Sequence, residues 1–294
     1  MQKTAVQGLR LFCKGDSMLI FEQNKKYSFR DPAAYTENGV IYLFFTLVEN
    51  AEDRQYFYVA MSTSADFINW SEPKILTKKD NLKNYSSPGN VIKYNGEYYL
   101  CVQTYPREDG QIYGNENSKI FTMKSKDLLN WEEPVLLKVK GDIPESDMGR
   151  MIDPYILDDG DRFICFFKQN GVSFSTSNDL INWKFQGFTE CGENVCVIKE
   201  NNEYLIFNSP ENGINIMSTK DFRNFENITT LYLNQQNKPW AKDRITAGFV
   251  IETNGILPQK YAMFYHGDNE DDYLFGASLA VAFSDDLINW NEER

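Results

Sequence analysis

The sequence predicts an all-β protein, a five-bladed β-propeller of four-stranded antiparallel blades. One phrase, Ser/Thr-x-Asp-Leu/Phe-x-Asn-Trp/Phe, recurs five times: "SADFINW" (64–70), "SKDLLNW" (125–131), "SNDLINW" (177–183), "TKDFRNF" (219–225) and "SDDLINW" (284–290). The spacing of the copies is that of propeller blades and too uneven for a tightly stacked solenoid. Around each copy, strand-like runs follow one another in the same order.

Within each unit the first strand ends in a polar or glycine turn, as in "AAYTENG", "NVIKYNG", "YILDDG", "VCVIKENN" and "FVIETNG". The second strand is aromatic: "VIYLFFTL", "EYYLCVQTY", "RFICFFKQ", "EYLIFNS" and "KYAMFYHG". The third runs into the phrase, where Ser/Thr and Asp hydrogen-bond their own backbone to make a tight turn. The Leu/Phe and the terminal aromatic are anchors suited to packing between neighbouring sheets. Fourth strands follow, as in "PKILTK" and "PVLLKV". The fifth copy ends at Trp290, four residues before the last residue given, so the outer strand of that blade must come from elsewhere. The apolar segment 17–22, "SMLIFE", is the expected donor, pairing with "SLAVAF" at 278–283. Residues 1–294 then read as one domain. Two β-sandwich domains are the alternative, but no Gly/Ser-rich or Pro-rich linker divides the chain.

Composition narrows the function. With 42% hydrophobic and 15% aromatic residues, 294 residues can bury a large core. Thirty basic against 42 acidic residues give a net charge of −12, which repels nucleic acid and anionic membranes. The longest apolar run, "VIYLFFTLV", is half a membrane span, and the first residues lack the apolar core of a signal peptide, so a cytoplasmic location is expected. Five cysteines are an odd number, and Cys101 and Cys165 fall in apolar strands, which reads as reduced, structural thiols. Cys191 and Cys196 are close, but a single histidine leaves no zinc-type ligand spacing.

In a propeller the first strands line the central channel, so the residues opening them converge on one end of the axis. Here these are Asp31, Ser87, Asp153, Glu193 and a position near Arg244–Thr246. Acidic side chains crowded in a narrow funnel repel one another, and such clusters persist mainly where something uses them. Each Asp-Pro pair also has a plainer reading, a turn that starts a strand, where proline loses no needed ladder bond.

Five blades, the repeated turn, Asp-Pro opening blades one and three and Glu opening blade four together resemble the family 43 glycoside hydrolases over residues 29–294. The resemblance implies Asp31 as general base, Asp153 as the residue that tunes and orients the acid, and Glu193 as general acid. An inverting glycosidase needs one carboxylate ionised to activate water and another protonated for the leaving oxygen, and a third raises the acid's pKa by repulsion. Blade four departs from the family's Glu-Gly-Pro in reading Glu193-Asn194-Val195. Glu190-Cys191 resembles the acid motif of the family 32 fructan hydrolases and makes Glu190 a rival, although those enzymes carry Asn-Asp-Pro where this chain has Arg30-Asp31-Pro32.

His266, the single histidine, stands in "YHG" where the family places a histidine near the axis, sometimes beside a calcium ion. No cofactor is required on this reading, and a central calcium beside His266 is allowed; "DNEDD" (268–272) lacks a spaced ligand loop. Sugars pack on flat apolar faces beside hydrogen-bonding groups, and the candidates for those contacts are Tyr85, Tyr155, Trp240, Arg244 and His266. The long insertion at 105–118 is placed to rim the pocket. The expected function is an inverting, exo-acting glycosidase on small pentose-containing oligosaccharides, of the arabinofuranosidase or xylosidase type. The alternatives are a retaining fructan-type hydrolase and a non-catalytic carbohydrate-binding propeller.

Overall fold

The structure, a computed structural model, describes residues 18–108, 111–200, 202–270 and 275–292. The first strand in the chain, β1 (Met18–Phe21), is taken up again with blade five. Blade one is β2 (Tyr27–Glu37), β3 (Val40–Asn50), β4 (Gln55–Ser64) and the short β5 (Lys74–Ile75). Blade two splits its inner strand into β6 (Tyr85–Ser86) and β7 (Val91–Tyr94), both paired with β8 (Glu97–Thr104), and continues with β9 (Ile120–Ser125) and β10 (Val135–Leu136). Blade three is β11 (Ile152–Asp158), β12 (Phe163–Lys168), β13 (Val172–Ser177) and β14 (Trp183–Thr189). Blade four is β15 (Glu193–Glu200), β16 (Glu203–Ser209), β17 (Ile214–Thr219) and β18 (Phe225–Leu231). Blade five has β19 (Arg244–Glu252), β20 (Tyr261–Asp268) and β21 (Ala277–Ser284), and its outer strand is β1. Met18 lies opposite Val281 and Leu19 opposite Ala280, the antiparallel closure expected of this segment, whose residue 17 falls outside the described residues. Phe21 seals the join by stacking on Phe29 at 5.2 Å between ring centroids.

The repeated phrase builds the same turn five times. In the first copy Asp66 Oδ1 accepts the backbone N–H groups of Ile68 and Asn69 at 2.8 and 2.7 Å, and Oδ2 accepts the Asn69 side chain at 2.7 Å. The Leu/Phe residue takes a left-handed conformation in every copy, from Phe222 at φ 57° to Leu287 at 66°. That kink turns its side chain into the preceding blade. Phe67 of blade one stacks on Phe264 of blade five, and Phe222 of blade four meets Phe166 of blade three. The terminal aromatics do likewise, Trp131 on Phe44 and Trp290 on Phe207. A second inter-blade tether recurs on the far side, where Tyr98 donates to Glu37, Tyr204 to Asp159 and Tyr261 to Glu200.

Asp31 and Asp153 do not begin their strands as turns. Each inner strand is bent at one residue in the left-handed region: Asp31, Ser87, Asp153, Asn194 and Ala247, with φ between 39° and 54°. The pairing register slips there in blades one, three, four and five, as at β-bulges, and blade two's inner strand is interrupted at the same place. Pro32, Pro88 and Pro154 each follow the bent residue, at the one point inside a strand where a missing N–H is not needed for the ladder. The N–H of the bent residue is instead received across the blade boundary. Asp31 donates to His266 Nδ1 (3.1 Å), Ser87 to Thr46 Oγ1 (2.7 Å), Asp153 to Gln103 Oε1 (2.6 Å) and Ala247 to Ser209 Oγ (3.0 Å). The acceptors occupy one equivalent place on the second strand of each preceding blade, opposite the residue that precedes the bend. At the blade three to four boundary that place holds Lys168, opposite Ile152, which has no lone pair to offer.

Phe67 is fully buried across the boundary that closes the ring. Phe67→Ala is expected to lower the unfolding free energy by about 3 to 5 kcal/mol, read as a lower denaturation midpoint.

Candidate active site

At the mouth of the axis the bends open a cavity of about 190 Å³ that contains Asp31, Asp153 and Glu193 together. Below it, a narrow axial void of about 20 Å³ lies between the five bent residues and is lined by Pro32, Pro88, Pro154 and Gly248. The bend therefore aims the side chain of Asp31 and of Asp153 at the axis. In blade four the bent residue is Asn194, not Glu193. Glu193 is the residue just before it, equivalent to Arg30 in blade one, and it too lines the cavity. Glu190 is exposed and lies outside the cavity lining.

Each carboxylate has a different environment. Asp31 Oδ2 accepts the Thr46 hydroxyl at 2.9 Å and the Ser87 hydroxyl at 3.1 Å, which leaves Oδ1 turned to the cavity and to His266. Glu193 is held in an ion pair by Lys168. Burial, then repulsion from Glu193 and Asp31, push the Asp153 carboxyl up to about 8, against the opposing pull of Lys168 and Arg150. Lys168 thus pairs with Glu193, while Asp153 is the carboxyl whose ionisation is held back.

His266 is almost wholly buried. Its Nδ1 accepts the Asp31 N–H, which assigns its proton to Nε2, 3.2 Å from Asp268 Oδ1. Asp268 in turn pairs with Arg30 at 2.9 Å and with Arg244. Burial pushes the Asp268 carboxyl up, but Arg30, His266 and Arg244 outweigh it and hold Asp268 well below the usual carboxylate range. Nδ1 of His266 is therefore engaged inside the protein, Nε2 has no hydrogen-bond partner among the described residues, and two guanidinium groups already face Asp268. Among the described residues no three His, Cys, Asp or Glu side chains converge as metal ligands.

Of the residues expected to contact sugar, Arg244 and His266 line the cavity, whereas Tyr85, Tyr155 and Trp240 do not. Tyr155 is buried between blades three and four, its hydroxyl donating to Val197 O at 3.2 Å. Trp240 packs on Tyr265, and Tyr85 meets Phe121 edge-on. The apolar wall is formed instead by Phe57, Tyr105 and Phe275. Phe57 stacks on Tyr105 at 5.7 Å and meets Phe275 edge-on at 5.1 Å. Tyr105 begins the long insertion, which Arg107 fastens to blade one through Gln55 O and to itself through Ile112 O. Of the insertion only Tyr105 lines the cavity, while Arg107, Glu108, Gln111 and Ile112 line a separate hollow against blade one; residues 109 and 110 fall outside the described part. Arg150 and Lys168, which sequence patterns did not single out, complete the lining.

A five-bladed propeller with three carboxylates at its axial mouth is the class that fold and cavity define. Solved structures of that fold include the GH43_1 enzyme of Xanthomonas citri complexed with xylose, at TM-score 0.64 and 13% identity over 88% of each chain. The catalytic domain of the Coprinopsis cinerea GH62 α-L-arabinofuranosidase superposes at TM-score 0.63 with 12% identity, over 92% of this chain and 95% of that one. CoXyl43, a GH43 β-xylosidase/α-arabinofuranosidase from a compost microbial metagenome solved with xylotriose in a calcium-free form, gives 0.63 and 14%, over 92% and 94%. No protein-family model and no curated protein matches the sequence. At these identities the likeness is one of fold, and the chain has the GH43-like five-bladed propeller.

Because Glu193 is the larger of the two carboxylate repulsions on Asp153, Glu193→Gln is expected to lower the Asp153 titration midpoint from about 8. Lys168→Met is expected to raise it. Carbon-13 NMR of labelled aspartate carboxyl groups reads both shifts.

Proposed function

We propose that this protein is an exo-acting glycosidase that hydrolyses small pentose-containing oligosaccharides with inversion. The observation that carries the reading is the convergence of Asp31, Asp153 and Glu193, from three blades, on one cavity with an aromatic wall. A cavity of about 190 Å³ suits a terminal sugar unit better than the middle of a polymer, since pockets for drug-sized ligands begin near roughly 300 Å³. The neighbours bound to xylose and xylotriose, and the arabinofuranosidase among them, support a pentose as that unit.

In this reading Asp31 takes the proton of the attacking water on Oδ1, while the Thr46 and Ser87 hydroxyls on Oδ2 hold the carboxylate in place. Asp153 and Glu193 together supply the one proton that the leaving oxygen gains. Before substrate enters, the ion pair of Glu193 with Lys168 leaves that proton on Asp153. Glu193 delivers it and Asp153 is its source, a division that two neighbouring carboxyl groups with separated ionisation can sustain.

Asp31→Asn and Glu193→Gln should each reduce kcat on natural xylo- and arabino-oligosaccharides by about 10²-fold or more. Glu193→Gln, unlike Asp31→Asn, should recover rate on an aryl glycoside whose leaving group needs no proton. The wild-type rate should fall as the pH rises past about 8, where Asp153 loses its proton. Proton NMR of the first-formed product should show the inverted anomer. Absence of turnover over a broad panel of aryl and natural glycosides would overturn the enzymatic reading in favour of a binding propeller.

A further inference from the structure

Four cationic side chains line the cavity of a chain whose net charge is −12: Arg30, Arg150, Lys168 and Arg244. Three of them are matched by the protein's own carboxylates. Arg30 pairs with Asp268 and lies 3.7 Å from Glu270, Arg244 pairs with Asp268, and Lys168 pairs with Glu193. The guanidinium of Arg150 makes no hydrogen bond or ion pair with any described residue. It lies near enough to Asp153 and Tyr105 to bear on the ionisation of both.

The backbone that carries Arg150 is nonetheless firmly held. The side-chain amide of Gln169 donates to Met148 O at 2.8 Å and to Arg150 O at 2.9 Å, so it fastens both sides of Gly149. Gly149 is at φ 73°, and a Cβ there would collide with that same Gln169 amide. Met151 N–H donates to Ser118 O at 3.0 Å. A fixed backbone presenting an unmatched, half-buried guanidinium is a pre-organised anion contact, because the parallel N–H groups of arginine fit a planar carboxylate. A neutral sugar needs no such countercharge.

We infer that the terminal sugar taken by this cavity carries a carboxylate, as a uronic acid does, and that Arg150, flanked by Lys168, is the specificity-determining residue that receives it. The inference rests on the glycosidase reading and changes its sugar from a pentose to the corresponding hexuronate, since D-glucuronate is a D-xylose ring bearing a carboxylate on C5. A sugar phosphate is a poorer fit, because a dianion would face the carboxylates of Asp31 and Glu193 in the same small space. The net charge of −12 repels long polyanions, so recognition is confined to short, uronate-ended sugars that meet the cations only inside the cavity.

Titration calorimetry of the full chain with D-glucuronate and D-xylose isolates the carboxylate. Glucuronate is expected to bind at least tenfold more tightly than xylose, with an advantage that shrinks in 0.5 M salt on the order expected for a charge contact. Arg150→Gln should cut the glucuronate-to-xylose ratio about tenfold or more, and Arg150→Lys, which keeps the charge without the fork, should retain part of it. Circular dichroism checks that both variants are folded, and if Arg150→Gln is not, the reduced ratio in Arg150→Lys decides. Xylose binding as tightly as glucuronate, no binding of glucuronate at millimolar concentration, or an advantage that survives both substitutions would each overturn the inference. Aryl β-D-xyloside and aryl β-D-glucuronide separate this from the parent reading. Turnover of the xyloside alone refutes the uronate preference and keeps the glycosidase, whereas tight uronate binding with no turnover of any glycoside does the reverse.

Discussion

The N–H of one bent residue per blade, handed to a side chain of the blade before it, is the constraint on which the rest of this structure depends. The bend lifts that N–H out of its own sheet, and a buried N–H left without an acceptor is costly. The acceptor has to come from the neighbour. Thr46, Gln103, Ser209 and His266 supply it, each at the same strand position. The bonds join blades that share no ladder at the axis, and they set where the side chains of Asp31 and Asp153 point. The single departure falls beside the site. Lys168 replaces an acceptor with a cation, and its partner is Glu193 one residue before the next bend.

Charge then divides the work among chemically similar groups. Asp268 and Asp153 are both acidic and set near one axis, yet their ionisation moves in opposite directions. Asp268 has two guanidinium groups and an imidazole N–H against it, and stays charged. Asp153 faces two other carboxylates with weaker compensation, and burial decides in favour of the neutral form. The His266 tautomer links the two halves, since one nitrogen serves the Asp31 backbone and the other faces Asp268.

The architecture was legible because the repeated phrase is local chemistry. Asp66 and its four counterparts make the same turn wherever they occur, and counting turns counts blades. Closure by Met18–Phe21 followed from the same count. The convergence of Asp31, Asp153 and Glu193 could also be anticipated, since each sits where an inner strand crosses the axis. What could not be read is anything that depends on the bend. A bulge shifts the alternation of faces by one residue, so that Glu193 and Asn194 exchange the places a regular strand would give them. Tyr155 accordingly faces a blade boundary and not the cavity, although it stands only two residues from Asp153. Phe57, Tyr105 and Phe275 come from three separate segments and share no motif. Lys168 gains its meaning only when its pairing opposite Ile152 is known.

The pairing of Met18–Phe21 with Ala277–Ser284 also orders events in time. Blades one to four are each made from a contiguous stretch of chain, and each can pair its strands as soon as that stretch is available. The fifth joins segments separated by nearly the whole sequence, a contact whose loop-closure entropy is the largest in the molecule. The cavity needs His266 from that blade to receive the Asp31 N–H. A nascent chain therefore holds Asp31 without its His266 acceptor until blade five is complete, and the blade-one side of the site is set only in the last step of folding.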